Sequence, residues 1–443
     1  MGFQIRNALI LSIVVACAAA VQLAAPAPVP DPMNQAAEEY VKLALALGQH
    51  DPDYVDAYYG PAEWKSQAET NKRPLTAIAD EAAKLRDRIG ALTPSNDEMM
   101  RLRREYLTKQ LGALAARVEI VRGKRMTFDD ESRALYDAVA PTFPLDHYEK
   151  LLADIGATGA LKPAGAFDGR SLSQRYDDWH NGFIVPKEKL DTVFQCAIKE
   201  CRVRTLAHLS LPPNESFTVE YVTHKPWGGY NWYKGNYQSV IQINTDLPVY
   251  IERAVDLAAH EGYPGHHVYN TLLEKNLTRG RGWVEFSCLP LYAPQALVSE
   301  GTANFGRDVV FTKEERLQFE KKVLWPAAGL DPDKAEQYYA IQDLLKNLAY
   351  SRNEAARALL DGKIDAAAAQ AWLEKYGLLS PGLAGKAVEF IEHYRSYVIN
   401  YNYGEDLVRH YIEQQGGTAD QPARRWKEFG SLLSSPRLPS GLQ

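Results

Sequence analysis

Cysteine is scarce in this chain, and neither sign of charge dominates. Four cysteines occur in 443 residues, which is too few for a disulfide framework. Cys196 and Cys201 lie five positions apart on a predicted helix and therefore point to different faces, which argues against a bridge or a shared metal. The formal net charge is -6 and no basic patch interrupts it, so no nucleic-acid partner is expected.

Several common catalytic motifs are also missing. The sequence contains no Walker A loop, no Gly-x-Gly-x-x-Gly turn of a dinucleotide-binding strand and no Gly-x-Ser-x-Gly elbow. These absences exclude the commonest NTPase, dehydrogenase and serine-hydrolase classes. After the first residues, no segment is both apolar and long enough to be a transmembrane helix.

The first 32 residues are predicted to lie outside the fold. Residues 1–16 carry one basic residue and then a short apolar run, which is typical of a signal peptide. The run ends at Ala16-Cys17 and resembles a bacterial lipobox, in which the cysteine becomes a lipidated N-terminus; the alternative is an ordinary signal peptide cleaved after a following alanine. The Ala/Pro-rich residues 17–32 predict a tether. We therefore expect an exported periplasmic or cell-envelope lipoprotein that touches the membrane only through an anchor at Cys17.

The rest of the chain predicts a mainly α fold. Helical periodicity with recognisable caps, such as Thr127 followed by Asp130, covers most of it. Residues 216–244 instead alternate, are rich in β-branched and aromatic side chains and contain glycine turns, which predicts one small antiparallel sheet. We expect a single helical domain over residues 33–430, with the sheet just before the helix that carries the histidines, and a C-terminal tail over 431–443.

The stretch HEGYPGHH, residues 260–267, predicts a metal site with an unusual spacing. His260 and Glu261 begin as in the zinc-protease motif His-Glu-x-x-His, but a proline stands where the second histidine is expected. If Pro264 and Gly265 form a bulge, His266 takes the place of the second ligand. His267 is the alternative ligand. A simple helix end bearing histidines is the alternative to a metal site.

A zinc site needs a third protein ligand, and Glu300 is the best candidate. It lies among apolar and small residues of a predicted helix, where a charged side chain needs a partner. Glu285 is a weaker rival. Asn304 follows Glu300 by one turn and is predicted to orient a histidine ring. Glu261 directly follows the first ligand, where a zinc hydrolase needs its general base.

These motifs resemble the bacterial "domain of unknown function 885" family, whose members are similar to helical zinc metallopeptidases of the gluzincin type. The family pattern His-Glu-x-x-Pro-Gly-His-His is present in full at residues 260–267. Of its second motif, Glu-Gly-Trp-Ala-x-Tyr, Glu300, Gly301 and Ala303 match, whereas Thr302 and Phe305 replace the Trp and Tyr. The resemblance implies a zincin-like helical domain, His260, His266 and Glu300 as Zn²⁺ ligands and Glu261 as base.

A zinc peptidase also needs a donor for the oxyanion of its transition state. Tyr401 matches the family's Tyr-x-x-Gly and is the first candidate, followed by Arg395 and Tyr403; simple packing is the alternative for this aromatic stretch. The strand at 237–244 lies where zinc peptidases use an edge strand to pair with substrate backbone, although burial explains its aromatic character equally well. The sequence thus predicts an exported zinc-dependent hydrolase of short peptides or amides. The alternative is a non-catalytic envelope lipoprotein that binds a metal or ligand through the same cluster.

Overall fold

A computed structural model describes residues 31–163 and 169–443, and the fold is mainly α, as the sequence predicts. The predicted signal peptide, the lipidation at Cys17 and nearly all of the predicted tether lie outside the described residues. The elements that precede the main sheet are α1 (Pro32–Leu47), β1 (Val55–Tyr58), α2 (Ala62–Thr70), α3 (Leu75–Ala91), α4 (Glu98–Val121), α5 (Phe128–Tyr136), α6 (Leu145–Gly156), α7 (Leu172–His180) and α8 (Leu190–Leu206).

The main sheet has three strands, β2 (Ser216–Val222), β3 (Gly229–Gly235) and β4 (Gln238–Asn244), in the order β2-β4-β3. β3 and β4 form an antiparallel hairpin around Asn236 and Tyr237, both with positive φ. β2 pairs with β4 in parallel. The sheet is therefore mixed rather than wholly antiparallel, because the segment between β2 and β3 carries the chain across to the far side of β4.

The remaining chain returns to helices, with one short strand that pairs antiparallel with β1. These elements are α9 (Glu252–Leu257), α10 (His266–Leu273), β5 (Cys288–Pro290), α11 (Pro294–Val310), α12 (Lys313–Phe319), α13 (Trp325–Ala328), α14 (Ala335–Leu345), α15 (Ser351–Leu360), α16 (Ala366–Tyr376), α17 (Pro381–Tyr394), α18 (Ile399–Gln414) and α19 (Pro422–Leu433). Within the described part of the chain, no helix is long and apolar enough to cross a membrane.

α11 and α18 approach each other at two glycines near the middle of the fold. A Cβ atom on Gly301 would lie 2.3 Å from the carbonyl oxygen of Gly404. No real Cβ tolerates such a contact with backbone, so only glycine permits this crossing. The close approach fixes Glu300, beside Gly301, opposite Tyr401, one turn before Gly404.

The C-terminal residues belong to the main core. Leu433 and Leu442 are fully buried and Leu438 is 3 % exposed. Residues 431–443, predicted as a tail, therefore pack against the helical domain and contribute to its core. Their burial removes apolar surface from water, which stabilises the docking of α19.

Candidate metal centre

The helix that carries the first histidine ends in a wide turn. α9 continues into a π-helical turn over Ala258–Gly262, and His260 lies at its middle. The chain then folds back: the amide of Gly265 donates to the carbonyl of Ala259 over 2.8 Å. A Cβ on Gly265 would lie 1.9 Å from the carbonyl oxygen of His260, so this return requires glycine. π-Helical turns of this kind are frequent at functional sites.

A new helix starts directly after this return. α10 begins at His266, so Pro264 and Gly265 separate two helices instead of forming a bulge within one. The break between the helices places the ring of His266 next to that of His260, which is the position predicted for the second ligand. The two ring centroids lie 4.6 Å apart and the ring planes are nearly perpendicular, at 89°.

Three side-chain atoms from separate elements face one point. The Nε2 atoms of His260 and His266 lie 3.1 Å apart. The Oε2 atom of Glu300, on α11, lies 3.3 Å from the first and 3.6 Å from the second. Ligand atoms around tetrahedral zinc, with bonds of about 2.05 Å, are separated by roughly 3.3 Å. The triangle therefore has the size of one face of a zinc coordination shell.

The chemistry of the three groups also fits a cation. Glu300 Oε2 is buried and accepts no hydrogen bond of ordinary geometry from any described residue. Burial alone would raise the pKa of Glu300, but His266 and His260 outweigh it and hold the pKa well below its usual range. Burial likewise opposes charge on His266, yet Glu300 raises its pKa to about 9. Without a metal ion, a proton on His266 supplies positive charge beside the Glu300 carboxylate. A metal ion would supply more positive charge at the same point.

Each of the three side chains makes a hydrogen bond to a neighbouring residue on the side away from the cluster. The Nδ1 of His260 lies 3.0 Å from Oδ1 of Asn304, whose own amide donates to the carbonyl of Tyr401 over 2.7 Å. This second bond fixes the Asn304 orientation, so His260 Nδ1–H donates and its Nε2 keeps a lone pair for a metal. Asn304 thus lies where the helix spacing predicts.

Two further supports were not singled out by the sequence. Ser299 Oγ lies 3.1 Å from Nδ1 of His266. The hydroxyl of Tyr397 donates to Oε1 of Glu300 over 2.7 Å, leaving Oε2 for the centre. Ser299 adjoins Glu300 and Tyr397 lies in the aromatic stretch near Tyr401, but nothing in either position distinguishes it from ordinary helix residues.

Glu261 lies beside the cluster and not within it. Its side chain is buried, and burial raises the pKa of its carboxyl, which His260 and His266 only partly counteract. A Cβ on Gly229 would lie 2.8 Å from Glu261 Oε1, so the backbone of β3 passes directly over this carboxylate. Asn231, also on β3, donates to the Glu261 carbonyl over 2.7 Å. The Glu261 carboxylate is thus buried next to the backbone of β3.

One acidic residue of the centre was missed. Asp56, on β1, accepts a short hydrogen bond from the hydroxyl of Tyr230. Burial raises the pKa of Asp56 to about 7, with His266 acting against the shift and Glu300 and Glu261 adding to it. Asp56 comes from the far N-terminal part of the chain and lies in no motif, so the sequence offers no signal for it.

His267, the alternative ligand, belongs to a different network. Its Nδ1 lies 2.9 Å from Ser239 Oγ and its Nε2 lies 2.9 Å from Glu215 Oε2, and the ring is fully buried. Tyr263 donates to the same Glu215 carboxylate over 2.6 Å. His267 therefore ties α10 to the sheet and faces away from the cluster.

The remaining candidates divide between the cavity and the surrounding core. Glu285 is bound by Arg103 at 2.6 Å in a fully buried ion pair and is no ligand here. Arg395 is bound at 2.7 Å to Glu131, a buried partner, and does not line the cavity; nor does Tyr403. The structure thus does not bring either predicted oxyanion donor to the cavity.

Tyr401 is placed differently from those two. It lines the cavity, its ring lies 6.4 Å from that of His260, and burial together with Glu300 and Glu261 raises the pKa of its hydroxyl.

The centre opens into a cavity of about 1140 Å³. Its walls include β3, the end of α14, α15, and the facing sides of α17 and α18. The prediction that β4 is an edge strand is wrong, since β4 is central. β2 and β3 are the edge strands, and β3 lines the cavity through Gly229, Tyr230 and Asn231. A cavity of this size accommodates a ligand of several residues.

Comparison with known proteins yields solved structures alone. No family model matches the chain, and no curated protein matches it. The fold is similar to that of a candidate lipoprotein from Colwellia psychrerythraea, with 14% identity, a TM-score of 0.50, and coverage of 92% of this chain and 74% of that one. A candidate lipoprotein of unknown function from Shewanella oneidensis matches with 13% identity, a TM-score of 0.40, and coverage of 83% and 75%. At 14% identity, the likeness to the Colwellia psychrerythraea protein shows a similarity of fold alone.

Proposed function

We propose that this protein is an exported zinc-dependent hydrolase that cleaves short peptides or other amides. The observation that carries the proposal is the convergence of His260, His266 and Glu300 on one point with the buried Glu261 beside them. Two imidazoles and one carboxylate form the ligand set of many catalytic zinc sites, which leave a fourth position for water or substrate.

Zinc bound by these three residues would supply Lewis acidity, which polarises a carbonyl and makes water nucleophilic at neutral pH. Glu261 takes a proton from the attacking water as its oxygen bonds to the carbonyl carbon. The same carboxylic acid then delivers that proton to the nitrogen as the carbon–nitrogen bond breaks. The raised pKa of Glu261 suits both halves of this cycle, because a base that must also act as an acid works best near the ambient pH.

Other residues of the cavity support the same assignment. The Tyr401 hydroxyl is a neutral donor close to the cluster and is suited to the negative charge that develops on the carbonyl oxygen. β3 is an edge strand that lines the cavity, where an extended peptide backbone can approach the sheet. The resemblance to the "domain of unknown function 885" family agrees with this reading, and the N-terminal sequence and the lipoprotein-like fold agree with an envelope location.

The test combines metal analysis with one substitution. Protein purified without chelators is expected to hold about one zinc per chain and to hydrolyse members of a peptide and cell-wall-fragment library. Glu261→Gln is nearly isosteric and lies outside the cluster, so zinc should remain while hydrolysis falls by about 10²–10⁴-fold. A protein without zinc under zinc-replete conditions overturns the proposal, and full activity in the variant overturns the role of Glu261.

A second candidate is a non-catalytic envelope lipoprotein that binds a metal or ligand through the same centre. It is favoured by the similar fold from Colwellia psychrerythraea, which is described as a candidate lipoprotein. It predicts that zinc binds but that no peptide or amide in the library is cleaved. In that case Glu261→Gln leaves zinc content unchanged and alters ligand affinity alone.

A further inference from the structure

Two arginines line the cavity without an acidic partner. Arg253 lies on α9, two turns before His260, and Arg352 lies on α15. Both side chains are partly buried. Across residues 31–163 and 169–443, neither guanidinium forms an ion pair or a side-chain hydrogen bond. An arginine stays charged even without an ion-pair partner, because its pKa is too high for it to lose its proton.

The other two arginines of the cavity wall, Arg307 and Arg409, are paired. Arg307 lies 2.8 Å from Glu405. Arg409 contacts both Asp308 and Glu405, at 2.8 and 2.6 Å. The wall thus contains enough carboxylates to neutralise cations where the fold requires it. The two unpaired guanidiniums are therefore a local exception, and an unpaired buried cation costs free energy unless a ligand compensates it.

The pair lies close to the groups that would carry out hydrolysis. Burial lowers the pKa of Arg352, and Arg253 lowers it further while Tyr401 opposes the shift. The charge of Arg253 in turn acts on Glu261. Its Nη2 atom lies 3.4 Å from where a Cβ on Gly228 would stand, just before β3 begins. Arg253 and Arg352 therefore line one cavity, Arg253 beside the start of β3 and Arg352 within electrostatic reach of both Arg253 and Tyr401.

We propose that Arg253 and Arg352 bind a free carboxylate of the substrate. A guanidinium matches a carboxylate through two parallel hydrogen bonds, and two guanidiniums can hold both oxygens. The substrate class is then an amide with a carboxylate near the scissile bond, as at the C-terminal end of a short peptide. Aromatic side chains elsewhere in the cavity, including Trp227, Phe390 and Tyr394, suit the apolar parts of such a molecule.

The cleavage of this substrate rests on the proposed hydrolytic function, but its binding is measured separately. The probes are Ala-Ala-Phe and the same peptide with a C-terminal amide, titrated calorimetrically into the zinc-loaded Glu261→Gln protein, in which turnover is suppressed. We expect the acid to bind at least about 10-fold more tightly than the amide, the ratio that hydrogen bonds to charged groups provide.

Arg253→Gln and Arg352→Gln, each added to that protein, are expected to reduce this ratio to near one. Lys386→Gln is the matched control, because Lys386 also lines the cavity but is paired with Glu389 at 3.0 Å. The control should keep the full ratio. Neither arginine loses a described partner on substitution, so folding should persist; Arg352→Lys, which keeps the charge without the forked geometry, should give an intermediate ratio.

Equal binding of acid and amide, or a ratio that survives both arginine substitutions, overturns the inference. The outcome for hydrolysis is independent. If the acid is preferred through the arginines but the wild-type protein cleaves nothing, the carboxylate site stands and the proposed hydrolase falls. If peptides are cleaved irrespective of their C-terminal carboxylate, the hydrolase stands and the carboxylate site falls.

Discussion

The Nε2 atoms of His260 and His266 face each other at 3.1 Å. Because His260 Nδ1–H donates to Asn304, the Nε2 atom of this ring is the one that faces the neighbouring histidine. Glu300 adds a carboxylate oxygen to the same point. The three potential ligand atoms thus converge on one point where a cation would contact all of them, and hydrogen bonds with Asn304, Ser299 and Tyr397 hold this geometry in place.

Substitutions of the adjacent residues His266 and His267 should have different effects on zinc content. His266→Ala removes an atom of the cluster, so zinc content should fall to near zero while the fold is retained. His267→Ala should keep about one zinc per chain but lower the free energy of unfolding by about 1–3 kcal/mol, since Ser239 and Glu215 lose a buried partner. Metal analysis and denaturant unfolding of both variants provide the measurement. Loss of zinc in His267→Ala with retention in His266→Ala would reverse the assignment.

Asn304 should control zinc affinity without touching the metal. Asn304→Ala removes the acceptor that orients His260, and loss of such a support typically costs 10- to 100-fold in metal affinity, so about that weakening is expected. Asn304→Asp is the matched control: it keeps an acceptor for His260, which its negative charge strengthens, and it loses the donor to the Tyr401 carbonyl. Competition with a chromogenic chelator measures both affinities. A similar loss in the two variants would assign the effect to the Tyr401 contact instead.

Much of the fold is visible in local sequence, whereas the sheet order is not. Thr127 caps its helix by accepting from the Asp130 amide, as the spacing predicts, because a cap depends on residues three apart. The parallel pairing of β2 with β4 depends instead on where the connection over residues 223–228 crosses, which alternation cannot reveal. The same limit explains why β4 was taken for the edge strand.

The site shows a similar division. Residues within one helix or one motif, such as His260, Glu261 and Asn304, follow from helical spacing. Asp56 and Tyr397 reach the centre from distant parts of the chain, and only tertiary packing brings them there. Arg395 was expected in the cavity because of its residue type, but the buried Glu131 binds it first. Residue type predicts which chemistry is possible, and packing decides which side chain is available.

A comparison of Tyr401→Phe with Tyr403→Phe should show whether the Tyr401 hydroxyl takes part in catalysis. Tyr401→Phe removes a hydroxyl from a residue that lines the cavity beside the cluster, and the loss of one donor to a developing oxyanion costs about 10²–10³-fold in kcat. Tyr403→Phe removes a hydroxyl outside the cavity and should leave kcat within about twofold. Steady-state kinetics on a cleaved peptide, with zinc content measured in parallel, tests both. Equal kcat values for the two variants would remove Tyr401 from the mechanism.

The glycine contact between α11 and α18 should govern both stability and the metal centre. Gly301→Ala places a methyl group against the Gly404 carbonyl, which is backbone and cannot rotate away. The two helices must separate, at a cost of about 1–3 kcal/mol typical of overpacking. Separation also moves Glu300 away from the histidines, so zinc affinity should fall together with stability.

Gly112→Ala, in the middle of α4, is the control for the same chemical change. Nothing lies within 4 Å of its added Cβ, so the substitution should stabilise the protein by about 0.5–1 kcal/mol through helix propensity, with zinc affinity unchanged. Thermal unfolding with and without zinc separates the two effects. If Gly301→Ala lowers stability in the zinc-free protein but zinc binds with undiminished affinity, the position of Glu300 does not depend on the helix crossing, and the coupling between packing and metal binding is refuted.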